Sequence, residues 1–250
     1  MIVKMVTYLS KIYIIKNSDA LLITDIQKDF LPGGALAIEN GNEIVPVLND
    51  YVNRFVIAKA HVLASRDWHP LNHISFKSQG GRWPPHCVQE TAGAKFSPDL
   101  KLPPHVIVIS KATNPEIEAY SAFDGTSLAH ELRTLGVKRL FVGGLATDYC
   151  VVNTVIDACK LGFETVVLMD ATLGINSEPG DVDRAIETML KNGAQQVTVE
   201  DFSEAVDVLP IEETQLDALE EKPLQRAEVK KKARMRPKGS AKRIRTERKG

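Results

Sequence analysis

A chain of 250 residues, 44% hydrophobic and 25% charged, can bury one substantial core with a short appendage beside it. Three cysteines, Cys87, Cys150 and Cys159, are too few and too odd in number for a disulfide framework, which points to a reducing, intracellular setting, cytoplasmic or nuclear. The net charge of -1 hides a division: residues 222–250 carry 13 Lys and Arg against two Glu, net +11, which leaves net -12 on residues 1–221, a body poorly suited to binding phosphates.

Residues 1–17 are apolar, with Lys4, Lys11 and Lys16 and no acid. They lack both an uninterrupted apolar run of membrane-spanning length and a small-residue cleavage site, so neither a transmembrane helix nor a secretory signal is supported. The segment reads as an irregular extension or an added strand, with an organelle presequence as the weaker alternative.

Residues 18–220 read as one domain. Short runs rich in Val, Ile and Leu predict strands at Ala20–Thr24, Val62–Ser65, Val106–Ser110, Arg139–Gly143, Thr165–Met169 and Gln196–Val199. Between them, apolar residues recur at helical spacing: Ile44 to Phe55; Leu128, Leu132 and Leu135 after the cap candidate Thr126; Val151 to Cys159; and Ile186, Met189 and Leu190. Alternating strands and helices predict an α/β fold, a three-layer, doubly wound sheet of about six mostly parallel strands with helices on both faces. No internal repeat is present. The pairs Gly33-Gly34, Gly80-Gly81 and Gly143-Gly144 lack phosphate-loop spacing and read as turns or close backbone approaches.

Ligands of such sheets lie beyond the carboxyl ends of the strands. There the chain offers Asp25, then Asp67 and His69, then Lys111, then Cys150. Singly, each could be a cap or a surface charge; together they point to chemistry. A carboxylate beside a thiol can take its proton, and an ammonium favours both the carboxylate and the thiolate. Cys150 stands just inside a helix start, where unpaired N–H groups and the helix dipole favour the anion. Asp25, Lys111 and Cys150 thus read as a cysteine hydrolase. The Asp67-Trp68-His69 pair needs one more imidazole to complete a two-His, one-carboxylate metal set, suited to zinc, manganese or iron. His86, His73 and Cys87 are the rivals for that place.

Five segments carry a family likeness: Leu21–Phe30, Arg66–Pro70, Trp83–Cys87, Glu118–Phe123 and Gly144–Cys150. On them the chain resembles the nicotinamidases of the isochorismatase-like cysteine hydrolases. The resemblance implies a catalytic triad of Asp25, Lys111 and Cys150 and one divalent metal ion, zinc with manganese or iron as alternatives, on Asp67, His69 and His86. It implies Phe30, Trp83, Tyr120 and Ala146 as substrate-binding residues, and a cis peptide at Leu145–Ala146 beside an oxyanion hole. The expected reaction converts nicotinamide to nicotinic acid and ammonia in NAD salvage. The alternatives are a metal-free ureido or carbamoyl amidohydrolase of the same superfamily, and a non-catalytic nuclear or nucleic-acid-binding protein on this fold. The expected partners are nicotinamide as substrate and no membrane; a homo-oligomer is compatible with such a domain.

Residues 221–250 read as a basic tail, expected to be disordered because it has few apolar residues and self-repelling charge. Contact with import machinery or nucleic acid, or an inert solubilising role, are the readings open to it.

Overall fold

The computed structural model describes residues 13–202. The predicted basic tail, the end of the predicted domain past residue 202 and the first twelve residues of the predicted extension lie outside the described residues. Six strands form one parallel sheet in the order β3-β2-β1-β4-β5-β6: β1 Asp19–Thr24, β2 His61–Asp67, β3 Ile107–Lys111, β4 Arg139–Leu145, β5 Glu164–Leu173 and β6 Gln195–Val197. Four helices connect them: α1 Ile44–Ile57, α2 Leu128–Thr134, α3 Val152–Lys160 and α4 Asp181–Lys191.

The three layers follow from the alternation of side chains along buried strands. In β1, Leu21 and Ile23 share a core with Ile44, Val45, Leu48 and Tyr51 of α1, whereas Ala20 and Leu22 face Leu128 and Leu132 of α2 and Val155 of α3. A strand buried on both faces reads as an apolar run, which is why Ala20-Leu21-Leu22-Ile23 carries no alternation of its own.

Several boundaries differ from the sequence reading. Asp67 and Lys111 are the last residues of β2 and β3 instead of lying beyond their ends. The predicted cap Thr126 sits one residue too early: Ser127 precedes α2, and Thr126 Oγ1 accepts from the Leu128 N–H at 3.2 Å. Val199 leaves the last strand for a 3-10 turn. Of residues 13–17, Tyr13 pairs with Phe202 in a parallel bridge, its hydroxyl donates to Gln195 Oε1 at 2.7 Å, and Ile15 is buried in the core.

The chain winds outward from β1 through β2 to β3, then returns to place β4 on the other side of β1. The switch point therefore lies between the carboxyl ends of β1 and β4, where Asp25 and the segment from Ala146 to Cys150 flank it. Close approach there requires Gly144, whose φ is 121° and where a Cβ would fall 2.1 Å from Thr24 O.

Candidate active site

Sheet register brings the first group together. Parallel partners present their side chains on the same face, and the last rung of β2 and β3 pairs Asp67 with Lys111. The Lys111 ammonium consequently meets Asp67 Oδ1 in a close ion pair. The last rung between β1 and β2 pairs Thr24 with Ser65, so Ser65 stands beside Asp25; its backbone carbonyl accepts from the Asp25 N–H at 3.2 Å and its hydroxyl donates to Asp25 Oδ1 at 2.7 Å. Asp25 turns its other oxygen to Lys111 Nζ, 3.1 Å away.

Cys150 arrives from β4. After the cis peptide at Leu145–Ala146, residues Thr147–Val151 form a π-helical turn that leads into α3, so the nucleophile candidate stands within that turn, just ahead of the regular helix. Such turns concentrate at functional sites because they rotate one side chain out of helical register. Lys111 Nζ reaches Cys150 Sγ at 3.3 Å, and Asp25, Asp67 and Cys150 offer ligand atoms within 4.8 Å of one another.

All four groups are buried, and burial is the first influence on each. It raises Asp25, against the opposing pull of Lys111. It also pushes Asp67 up, but Lys111, then His69 and His86, outweigh this and leave that carboxyl below the usual range. Burial alone would lower Lys111, yet Asp25 and Asp67 overcome it and keep the ammonium charged. The Cys150 thiol is pushed well above its usual value by burial, with Lys111 opposing. The sequence expectation of a thiolate favoured by the helix start is thus corrected: in the closed site desolvation wins, and the thiol keeps its proton until a base takes it. Asp25, raised toward neutrality and beside the sulfur, is the carboxylate placed to accept it.

The second group comes from the end of β2 and the loop that follows. Asp67, His69 and His86 place one ligand atom each within 4.8 Å of one another. His69 Nδ1 lies 3.1 Å from His86 O and His86 Nδ1 lies 2.8 Å from Pro84 O. A carbonyl only accepts, so both Nδ1 atoms carry the proton and both Nε2 lone pairs are left for an ion. Burial holds His69 neutral down to a pKa of about 4, as ligation requires. The trio therefore fits a divalent metal.

Its rivals fit less well. His73 also comes within 4.8 Å of His69, together with the exposed Glu118. However, its Nδ1 accepts from the Ser75 N–H at 3.2 Å and its Nε2 donates to Ile117 O at 3.1 Å, so no lone pair remains and the ring packs on His69, centroids 4.5 Å apart. Burial keeps the Cys87 thiol well above its usual pKa.

Aromatic side chains wall the site. Phe30 leans on His86 at 5.5 Å between centroids, Trp83 Nε1 donates to the Tyr120 hydroxyl at 3.0 Å, and Tyr149 stands edge-on to Trp83 at 5.1 Å. Tyr149 carried no assignment from sequence, although its place directly before Cys150 fixes it there. Ser65 and Gln27 were also missed. Gln27, two residues after Asp25, is fully buried and bonds the backbone of Asp67.

The isochorismatase domain matches residues 19–201. The chain is 40% identical over 206 residues to the nicotinamidase of Escherichia coli (strain K12), covering 74% of this chain and 97% of that one. A crystal structure of the pyrazinamidase of Pyrococcus horikoshii in complex with zinc is similar at 50% identity and a TM-score of 0.70, covering 72% of this chain and 99% of that one. PnC1 from L. infantum in complex with nicotinate is similar at 33% identity and a TM-score of 0.70, covering 77% and 98%. By sequence and by fold the chain belongs to the isochorismatase family of hydrolases, on its nicotinamidase branch.

Proposed function

We propose that this hydrolase converts nicotinamide to nicotinic acid and ammonia, a reaction of NAD salvage, with Cys150 as nucleophile, Asp25 as general base and acid, and Lys111 as the charge that holds them together. The observation that supports this most directly is the placement of one buried ammonium 3.1 Å from Asp25 Oδ2 and 3.3 Å from Cys150 Sγ. No solvated lysine makes that arrangement, and a purely structural ion pair needs no thiol.

Asp25 takes the Cys150 proton as the sulfur attacks the carboxamide carbon. Lys111 offsets the charge that leaves the sulfur and arrives on the substrate. Backbone N–H groups of Ala146 and Cys150 receive the oxyanion, a contribution of about 3 kcal/mol on the scale of other oxyanion holes. Protonated Asp25 then returns its proton to the departing amine, releasing ammonia and leaving a thioester. Water, losing a proton to Asp25, attacks the thioester carbon; the carbon–sulfur bond breaks, Asp25 passes that proton to the departing Cys150 sulfur, and nicotinic acid leaves. Phe30, Trp83 and Tyr120 sandwich the flat ring. A divalent ion held by Asp67, His69 and His86, zinc or else manganese or iron, supplies when bound a Lewis acid that anchors the pyridine nitrogen.

Ammonia release from nicotinamide, measured before and after chelation and again after metal is restored, tests the assignment. Loss on chelation with recovery on restoration is expected. Equal turnover throughout rejects the role given to the metal, and no turnover in the metal-replete protein rejects the substrate.

A further inference from the structure

Asp67 is the only residue named in both groups of the site, so whatever fixes its backbone fixes their alignment. Its peptide stands at the last position of β2, beyond the last rung that β2 shares with β1. In place of a further ladder bond, the side-chain amide of Gln27 closes on it from the neighbouring turn. The Asp67 N–H donates to Gln27 Oε1 at 2.7 Å, and Gln27 Nε2 donates to Asp67 O at 2.7 Å and to Ala94 O at 2.9 Å. Both amide protons and the amide oxygen are thus used, in a residue with no exposure to solvent. The same turn presents Asp25: that residue has φ +53°, and the Gln27 N–H donates back to Asp25 O at 2.8 Å.

We propose that Gln27 is a positioning residue for metal binding. It acts as one artificial rung of the sheet, holding the Asp67 peptide so that one carboxylate oxygen stays on Lys111 while the other stays toward His86. The chemistry suits an amide and no other side chain. An apolar isostere leaves the Asp67 N–H, Asp67 O and Ala94 O without partners in a dry interior. A carboxylate keeps the acceptor but faces two carbonyl oxygens with a negative charge. This inference rests on the reading of Asp67, His69 and His86 as metal ligands.

The test compares Gln27→Met and Gln27→Glu with wild type, using cobalt(II) alone as the probe. Affinity is read by chelator competition and site geometry by the visible absorption band of bound cobalt. Leu48→Ala, a core truncation under α1, serves as a control that lowers stability without touching the site. Both Gln27 variants should bind cobalt about 10- to 100-fold more weakly, the scale on which partners of metal ligands act, and with an altered band. Leu48→Ala should lower the melting temperature and leave affinity and band unchanged. Wild-type cobalt affinity and band in either Gln27 variant overturns the proposal. Failure of both variants to fold also overturns it, because the residue is then structural. If wild-type protein itself binds no cobalt, the ligand assignment falls and takes this inference with it; binding in wild type and variants alike removes the inference alone.

Discussion

Asp67 shares its carboxylate with Lys111, giving Oδ1 to the ammonium while Oδ2 lies 3.9 Å from His86 Nε2. The ammonium beside the thiol is therefore also the ammonium on a candidate metal ligand. Replacing it should damage both groups at once. Lys111→Met leaves two buried carboxylates without their cation, and on the scale of broken buried ion pairs it should cost about 3–5 kcal/mol of stability. Denaturant unfolding should register that loss, and the folded fraction should release no ammonia. A stable, active Lys111→Met protein contradicts the assignment.

The metal trio makes a separate prediction. His86→Ala removes one Nε2 and should leave purified protein with little bound metal by elemental analysis, with turnover falling accordingly. If the ion anchors the ring nitrogen, benzamide, which lacks that nitrogen, should be a poor substrate for the wild-type enzyme. Equal rates on benzamide and nicotinamide would remove the anchoring role while leaving the nucleophile untouched.

The pH dependence of the metal-free protein follows from His69, whose pKa is lowered to about 4 by burial. The folded state binds fewer protons there than the unfolded state, so its contribution to stability is complete above about pH 6.5 and is lost as pH falls toward 4. The full loss attributable to this residue is on the order of 3 kcal/mol. Unfolding of chelated wild type and chelated His69→Gln at pH 7 and pH 4.5 should show the variant losing less stability on acidification. An identical loss in both proteins rejects the buried, neutral state of His69.

Most of this arrangement was legible in the sequence because strand ends are. Four apolar runs, each followed by a residue able to do chemistry, located Asp25, Asp67, Lys111 and Cys150 at one sheet edge, and parallel register brought the first three side by side. His86 could be paired with Asp67 only through family likeness, since the loop that returns it to His69 follows no local periodicity. Gln27 and Ser65 were invisible for another reason: their roles are hydrogen bonds to neighbouring strands, and spacing along one chain says nothing of what lies beside it. The Cys150 environment misled in sign, because a helix start is legible locally whereas its burial depends on the whole fold.

The division of charge gives a fourth prediction. Every residue assigned to the site lies between Asp25 and Cys150, so truncation after Glu221 should leave ammonia release and melting temperature unchanged. Removal of a +11 segment should weaken any salt-sensitive association with nucleic acid, because clustered Lys and Arg bind through displaced counterions. A sharp fall in activity or melting temperature would show instead that the tail docks on the acidic domain.

The covalent role of Cys150 is the center of the account, and Cys150→Ala tests it most directly. The variant should fold, retain its metal and release no ammonia from nicotinamide, and wild type quenched during turnover should carry the mass of a nicotinoyl thioester on Cys150. Cys159→Ala, on α3, should behave as wild type apart from a modest loss of stability. Near wild-type ammonia release by Cys150→Ala would contradict the mechanism.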